Sequence, residues 1–231
     1  MFYRQAGIRH RSYVSDSKLF PIPTDRNLIW FLILLGIAAP LFVNSLYLNS
    51  YVLPWLIWTA AALGLNLVTG WAGQLHLGYA AIMAVGAYSA VHAARFGIPW
   101  EIALLIAGFS AAAIGTLFSF AAMRVKGLYL ALTTLAMQFV MDWVLSHVPA
   151  ITGGSHASLQ SPTFKLLGQP ITSDAGLYYV AFGWCVIVTV FILNMRRTGL
   201  GRALVAVREK DYAAAILGVN SFYYKIVAFA T

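Results

Sequence analysis

Asn66, Gln74, His76, Tyr79, Thr133, Thr134 and Asp142 are polar side chains set in stretches that are otherwise apolar. Amides, an imidazole, a phenol and hydroxyls can hold a small polar solute by hydrogen bonds. A carboxylate at membrane depth can also carry a proton or pair with an ion. Each has a plainer reading. A mid-helix threonine can bond back to the carbonyl one turn earlier, and polar groups beside glycines can cap helix ends. Asp142 lies about five residues beyond the middle of its apolar run, roughly 7 Å outward at helical rise. A structural or interfacial role there stands beside a solute-binding one. His92, His147 and His156 fall near one end of their segments. No metal-ligand or acid-pair spacing joins them to Asp142, so an enzyme site is not expected, nor a metal or cofactor. The single Cys185 excludes a disulfide framework and cysteine zinc or redox sites.

Two stretches gather the remaining signals. The first is Asn66-Leu-Val-Thr-Gly-Trp-Ala-Gly-Gln-Leu-His-Leu-Gly78, uncharged and glycine-rich. Non-helical backbone at membrane depth persists only inside protein or along a wet cavity, and transporters place solute sites at such breaks. A tight turn between two spans fits the same residues. The second stretch follows Arg196 and holds Arg202, Arg208, Glu209, Lys210 and Asp211, charges that bar it from a bilayer. Leu204, Val207, Ala214 and Leu217 follow mixed three- and four-residue spacing, which predicts a short helix with one apolar stripe. Gly218 is placed to stop it. An amphipathic helix lying on the inner leaflet is the simpler reading.

The elements that position these residues follow from composition. Of 231 residues, 61% are apolar and 10% charged, against roughly 45–50% and about 25% in soluble domains. That excludes a soluble or disordered chain. Six apolar runs approach the roughly 20 residues that cross a bilayer: 28–48, 51–69, 75–94, 100–123, 128–147 and 176–195. A seventh opens at Phe222 and is cut off at Thr231, so the chain is expected to stop inside a helix. Small residues in the third and fourth runs, among them Ala81, Gly86, Ala90, Gly108, Ala111, Gly115 and Ser119, are close-packing signals. The net charge of +8 marks one membrane face rather than a nucleic-acid partner. Arg4, Arg9, Arg11, Lys18, Arg26, Arg124, Lys126, Arg196, Arg197, Arg202, Arg208, Lys210 and Lys225 share one side, leaving Arg95 and Lys165 on the other. The reading is an all-α polytopic helix bundle of six spans and a truncated seventh, with a cytoplasmic amino terminus.

The charged stretch reads Gly201-Arg-Ala-Leu-Val-Ala-Val-Arg-Glu-Lys-Asp-Tyr-Ala-Ala-Ala-Ile-Leu-Gly-Val-Asn220. It resembles the G-R-A-x-x-A-x-R-E-x-x-x-A-A-x-x-x-G-I/V-N stretch of permease subunits of branched-chain amino acid ABC importers. Leu63 to Gly78 resembles their L-G-L-N-L-x-x-G-x-A-G-Q-x-S-x-G. Arg124 to Ala131 resembles R-x-x-G-x-Y-L-A, and Thr152-Gly-Gly154 the outer T-G-G. The resemblance runs from about Leu56 to the end. There are differences: His76 stands where the family often has Ser, Tyr79 where it has His, Phe139 where it has Glu, and Asp142 where it has Arg. They bear on the solute more than on the class.

The charge distribution marks residues 1–27 as a basic cytoplasmic tail, and the resemblance makes 28–231 a permease domain that is C-terminally incomplete. The span order and a composition rich in Gly, Ser, Thr and Pro leave an external loop at about 148–175, and the resemblance implies a coupling helix at about 201–218 that docks on an ATPase subunit. Arg202, Arg208, Glu209, Ala213, Ala214 and Gly218 are the implied coupling residues. Asn66, Gln74, His76, Tyr79, Thr133, Thr134 and Asp142 are candidates for the solute path. No G-x-x-x-x-G-K-[ST] phosphate loop occurs, so ATP is expected to be hydrolysed on a partner. The implied partners are ATP-binding subunits, a second related permease, an external or periplasmic solute-binding protein and the lipid bilayer of the plasma (inner) membrane. An ion-coupled secondary transporter using Asp142 is the rival reading.

Overall fold

The computed structural model describes residues 23–122, 127–153, 159, 161–166 and 168–230. The basic residues before Pro23, together with Arg124, Lys126, Gly154 and His156, lie outside the described residues. Among the described residues, five helices are long and apolar enough to cross a bilayer. They fall in α1 (Pro23–Phe42), α2 (Ser45–Trp71), α4 (Trp100–Ala122), α5 (Leu128–His147) and α7 (Asp174–Arg197). The expected third span is a shorter helix, α3 (Tyr79–Arg95, 17 residues). Residues 73–78 before it are not helical. The six expected runs thus correspond to five long helices and one short helix preceded by non-helical chain.

Segment 148–175 is not helical throughout, which corrects a purely all-α reading. It holds α6 (Pro149–Thr152) and a minimal antiparallel pair, β1 (Lys165–Leu166) with β2 (Gln169–Pro170). The expected coupling helix is also divided, into α8 (Gly199–Glu209) and α9 (Asp211–Ile216), followed by α10 (Ser221–Ala230). The chain is extended at Lys210. That break lets Asp211 reach Lys225 on α10, with Oδ2 and Nζ 2.7 Å apart. Leu204, Val207 and Ala214 are buried as the stripe requires, but Leu217 is 82% exposed because α9 takes a new direction. Gly218, at φ +85°, ends α9.

Packing follows side-chain size. Ala81 and Ala103 are fully buried between α3 and α4, and Gly86 lies against Ala107 and Ala111. Small residues let backbones meet where lipid supplies no hydrophobic drive. Large apolar side chains such as Trp30, Trp55, Phe109 and Trp143 face outward. At one end of the bundle Leu67, Ala72, Met195, Leu204 and Ala228 form a core, joined by Trp71, Leu200 and Tyr224. It fastens α8 and α10 to the end of α2.

α1 leans on α7. Pro40 lies inside α1 and has no N–H, so the carbonyl four residues earlier, on Gly36, loses its helical donor. The buried Tyr178 of α7 supplies one: its hydroxyl donates to Gly36 O at 2.6 Å, and Tyr179 donates to Ile37 O at 3.1 Å. Without water in a bilayer core, such freed carbonyls must find protein donors.

Candidate functional site: the broken helix between α2 and α3

The last turn of α2, Leu67–Trp71, is π-helical. Ala72 N–H reaches five residues back to Leu67 O at 3.1 Å, and Gln74 N–H six back to Val68 O at 3.1 Å. Such widened turns recur at functional sites. Thr69 donates to Leu65 O at 2.8 Å, and the Asn66 side chain lies over Gly70. The chain then leaves the helix at Gly73, whose φ of +65° suits glycine.

α5 receives the freed backbone. Leu77 N–H donates to Thr134 Oγ1 at 3.0 Å, while that hydroxyl donates to Ala131 O at 2.9 Å. Ala81 N–H donates to Gln138 Oε1 at 2.7 Å, and Gln138 Nε2 donates to Asp142 Oδ1 at 3.0 Å. Gly78 presses against the Thr134 carbonyl, where a Cβ would collide. Thr134, Gln138 and Asp142, four residues apart, thus make one polar stripe along α5 facing the break.

His76 is carried at the middle of the broken segment and is only 3% exposed. Its ring meets Tyr79 edge-on at 6.1 Å and Phe229 at 5.0 Å. Neither ring nitrogen has a hydrogen-bond partner among the described residues. The imidazole and the Tyr79 ring line a cavity of about 570 Å³ whose other walls include Ile82, Met83, Trp184 and Phe229. No charged side chain among the described residues lines it. On the other side of the segment, Ala72–Leu75 border a groove of about 360 Å³ shared with Arg208, Glu209, Asp211, Tyr212 and Lys225.

Of the solute-path candidates, the break brings together His76, Tyr79 and Thr134, with Asn66 at its edge and Gln74 on the groove side. Asp142 is joined only through Gln138 and is itself exposed. Thr133 is not brought in; its hydroxyl donates back to Tyr129 O at 2.8 Å. Among the coupling candidates, Arg208 touches the break: its Nη1 donates to Gly70 O, and its stem lies on Gly73. Ala214 is buried, while Arg202, Glu209, Ala213 and Gly218 are exposed. His92 contacts Ile151 O through Nε2 at 2.7 Å, and His147 stacks on Trp143. Sequence reasoning missed Gln138 and Phe229. The four-residue spacing from Thr134 through Gln138 to Asp142 was a usable signal; nothing near Phe229 was.

Apolar helices of spanning length with a glycine-bounded break beside a cavity fit a multi-pass membrane permease. The chain belongs to the branched-chain amino acid transport system / permease component family, whose model matches residues 47–231. This is a family of transport components rather than of enzymes. The chain is 32% identical over 223 residues to the high-affinity branched-chain amino acid transport system permease protein LivM of Escherichia coli (strain K12), covering 86% of this chain and 52% of the relative. It is 31% identical to the protein of the same name from Salmonella typhimurium, with the same coverage. The chain therefore spans about half the length of the curated relatives it matches. No solved structure matches.

Proposed function

We propose that this chain is a membrane-spanning subunit of an ATP-driven importer in the plasma (inner) membrane. It moves branched-chain amino acids, or similar small polar solutes such as other amino acids, amides or urea, into the cytoplasm by alternating access. The observation that carries this reading is the broken segment, with a cavity on one side and the α8–α9 groove on the other. Apolar walls suit an aliphatic side chain, and the imidazole and phenol supply hydrogen bonds to a polar end. The amino terminus and α8–α9 face the cytoplasm.

In this reading α9 docks on a partner ATPase that hydrolyses the nucleotide. Tyr212, Ile216 and Leu217 are 80–86% exposed, and a stretch flanked by Arg202, Arg208 and Lys210 belongs outside the bilayer. A second permease completes the pore. A solute-binding protein delivers at the opposite face, near 148–175. The match to relatives called permease proteins of branched-chain amino acid transport systems supports the solute class.

The test is uptake of labelled leucine, with glutamine, amides and urea as competitors, by the full-length permease reconstituted with its ATPase and binding proteins. Uptake is expected only with ATP inside and to persist with an uncoupler present. Collapse under the uncoupler with ATP maintained, together with dependence on Asp142, would favour the ion-coupled rival.

A further inference from the structure

We infer that Arg208 acts inside the chain, as a strut tying α8 to the broken segment, rather than as a residue α8 presents to the ATPase. The inference rests on the importer reading above and adds how motion of the docking region reaches the cavity. α2 ends at Trp71, so the Gly70 carbonyl is among the last acceptors that a helix leaves open. The Arg208 guanidinium fills it, a favourable place for a cation. The stem is gripped from the other side by Gly73, where an added Cβ would sit 2.8 Å from Arg208 Cγ and 3.6 Å from its Cα.

Arg208 is exposed at its surface, yet both its charge and its stem are engaged with the break. α8 is seated beneath it, with Leu204 in the core beside Leu67 and Ala72. From Gly73 the segment runs to Leu77 and Ala81, whose N–H groups are fixed to Thr134 and Gln138 on α5. One end of the segment is therefore held by α8 and the other by α5, with His76 between. A shift of α8 relative to α5 has to be taken up by the non-helical segment between them, which carries His76. Coupling of this kind needs a contact whose strength differs between states, and the Arg208–Gly70 contact ties α8 to the end of α2, where the segment begins.

The experiment uses the full-length permease with its ATPase and binding proteins in proteoliposomes. It measures ATPase association, and solute moved per ATP. Arg208→Met keeps the stem and removes the donor, and carries the test; Gly73→Ala pushes a methyl into the stem and also strains the backbone at φ +65°. Both are expected to retain ATPase association and to lose solute moved per ATP by about tenfold, the size of an ordinary coupling effect. The double variant should be no worse than the poorer single, because both break one contact. Arg208→Lys retains a donor and should keep most of the coupling, and it decides the matter if the Met variant does not insert. Loss of ATPase association in either Arg208 variant, with Gly73→Ala unaffected, overturns the strut and returns Arg208 to the docking surface. Unchanged solute per ATP overturns it as well. Absence of ATP-dependent uptake by the unmodified chain is the separate failure of the importer reading, and the strut falls with it.

Discussion

Thr133 and Thr134 are neighbours of the same type, yet they do different work. Thr134 is fully buried and accepts the Leu77 N–H across to the broken segment, whereas Thr133 bonds only within its own helix. Thr134→Val keeps the shape and strands a buried N–H, which costs about 1–3 kcal/mol. The detergent-solubilised chain should melt at lower temperature, with Thr134→Ser close to the parent. Thr133→Val should be nearly neutral in the same melt. Equal losses at the two positions would refute the assignment. The sequence presents both as mid-span threonines and cannot divide them, because a one-residue step turns a helix by about 100° and only the packed partner says which side faces the break. His76 shows the same limit. Its presence among glycines was legible, but its place against Phe229, more than 150 residues away in the chain, was not.

Among the elements, the long helices were readable from apolar run length, and their breaks were less so. Glycine across 66–78 announced a discontinuity, but the apolar run 75–94 overlapped it and did not show where the helix would begin. That outcome depends on Thr134 and Gln138, which give the backbone a partner outside the helix. The division of α8 from α9 at Lys210 is accompanied by an ion pair from Asp211 to Lys225, on an element later in the chain, which the local pattern could not show. The contact of α1 with α7 has a sequence origin in Pro40, since the proline leaves one carbonyl that Tyr178 completes. Tyr178→Phe should therefore destabilise the chain by about 1 kcal/mol, a typical net hydrogen bond. In a Pro40→Ala background the residue-40 N–H can serve Gly36 itself, so the same Tyr178→Phe change should matter less. Thermal unfolding of the four variants reads this directly; strictly additive effects would mean that the proline and the tyrosine are unrelated.

For the whole molecule, orientation is the expectation with the most reach, and it was read entirely from where Lys and Arg fall. Cysteine placed at Tyr212 should react with an impermeant maleimide only from the cytoplasmic side, and cysteine at Lys165 only from the outside. Both positions are exposed, and the native Cys185 is buried within α7. Labelling of both from one side would sink the topology and the docking surface with it. The short α3 carries one more consequence. Its 17 residues rise roughly 25 Å, less than a hydrocarbon core of roughly 30 Å. The remaining depth is occupied by polar backbone rather than by a closed apolar cylinder. Backbone amides at that depth depend on the protein itself for their partners, as the Leu77 N–H does on Thr134.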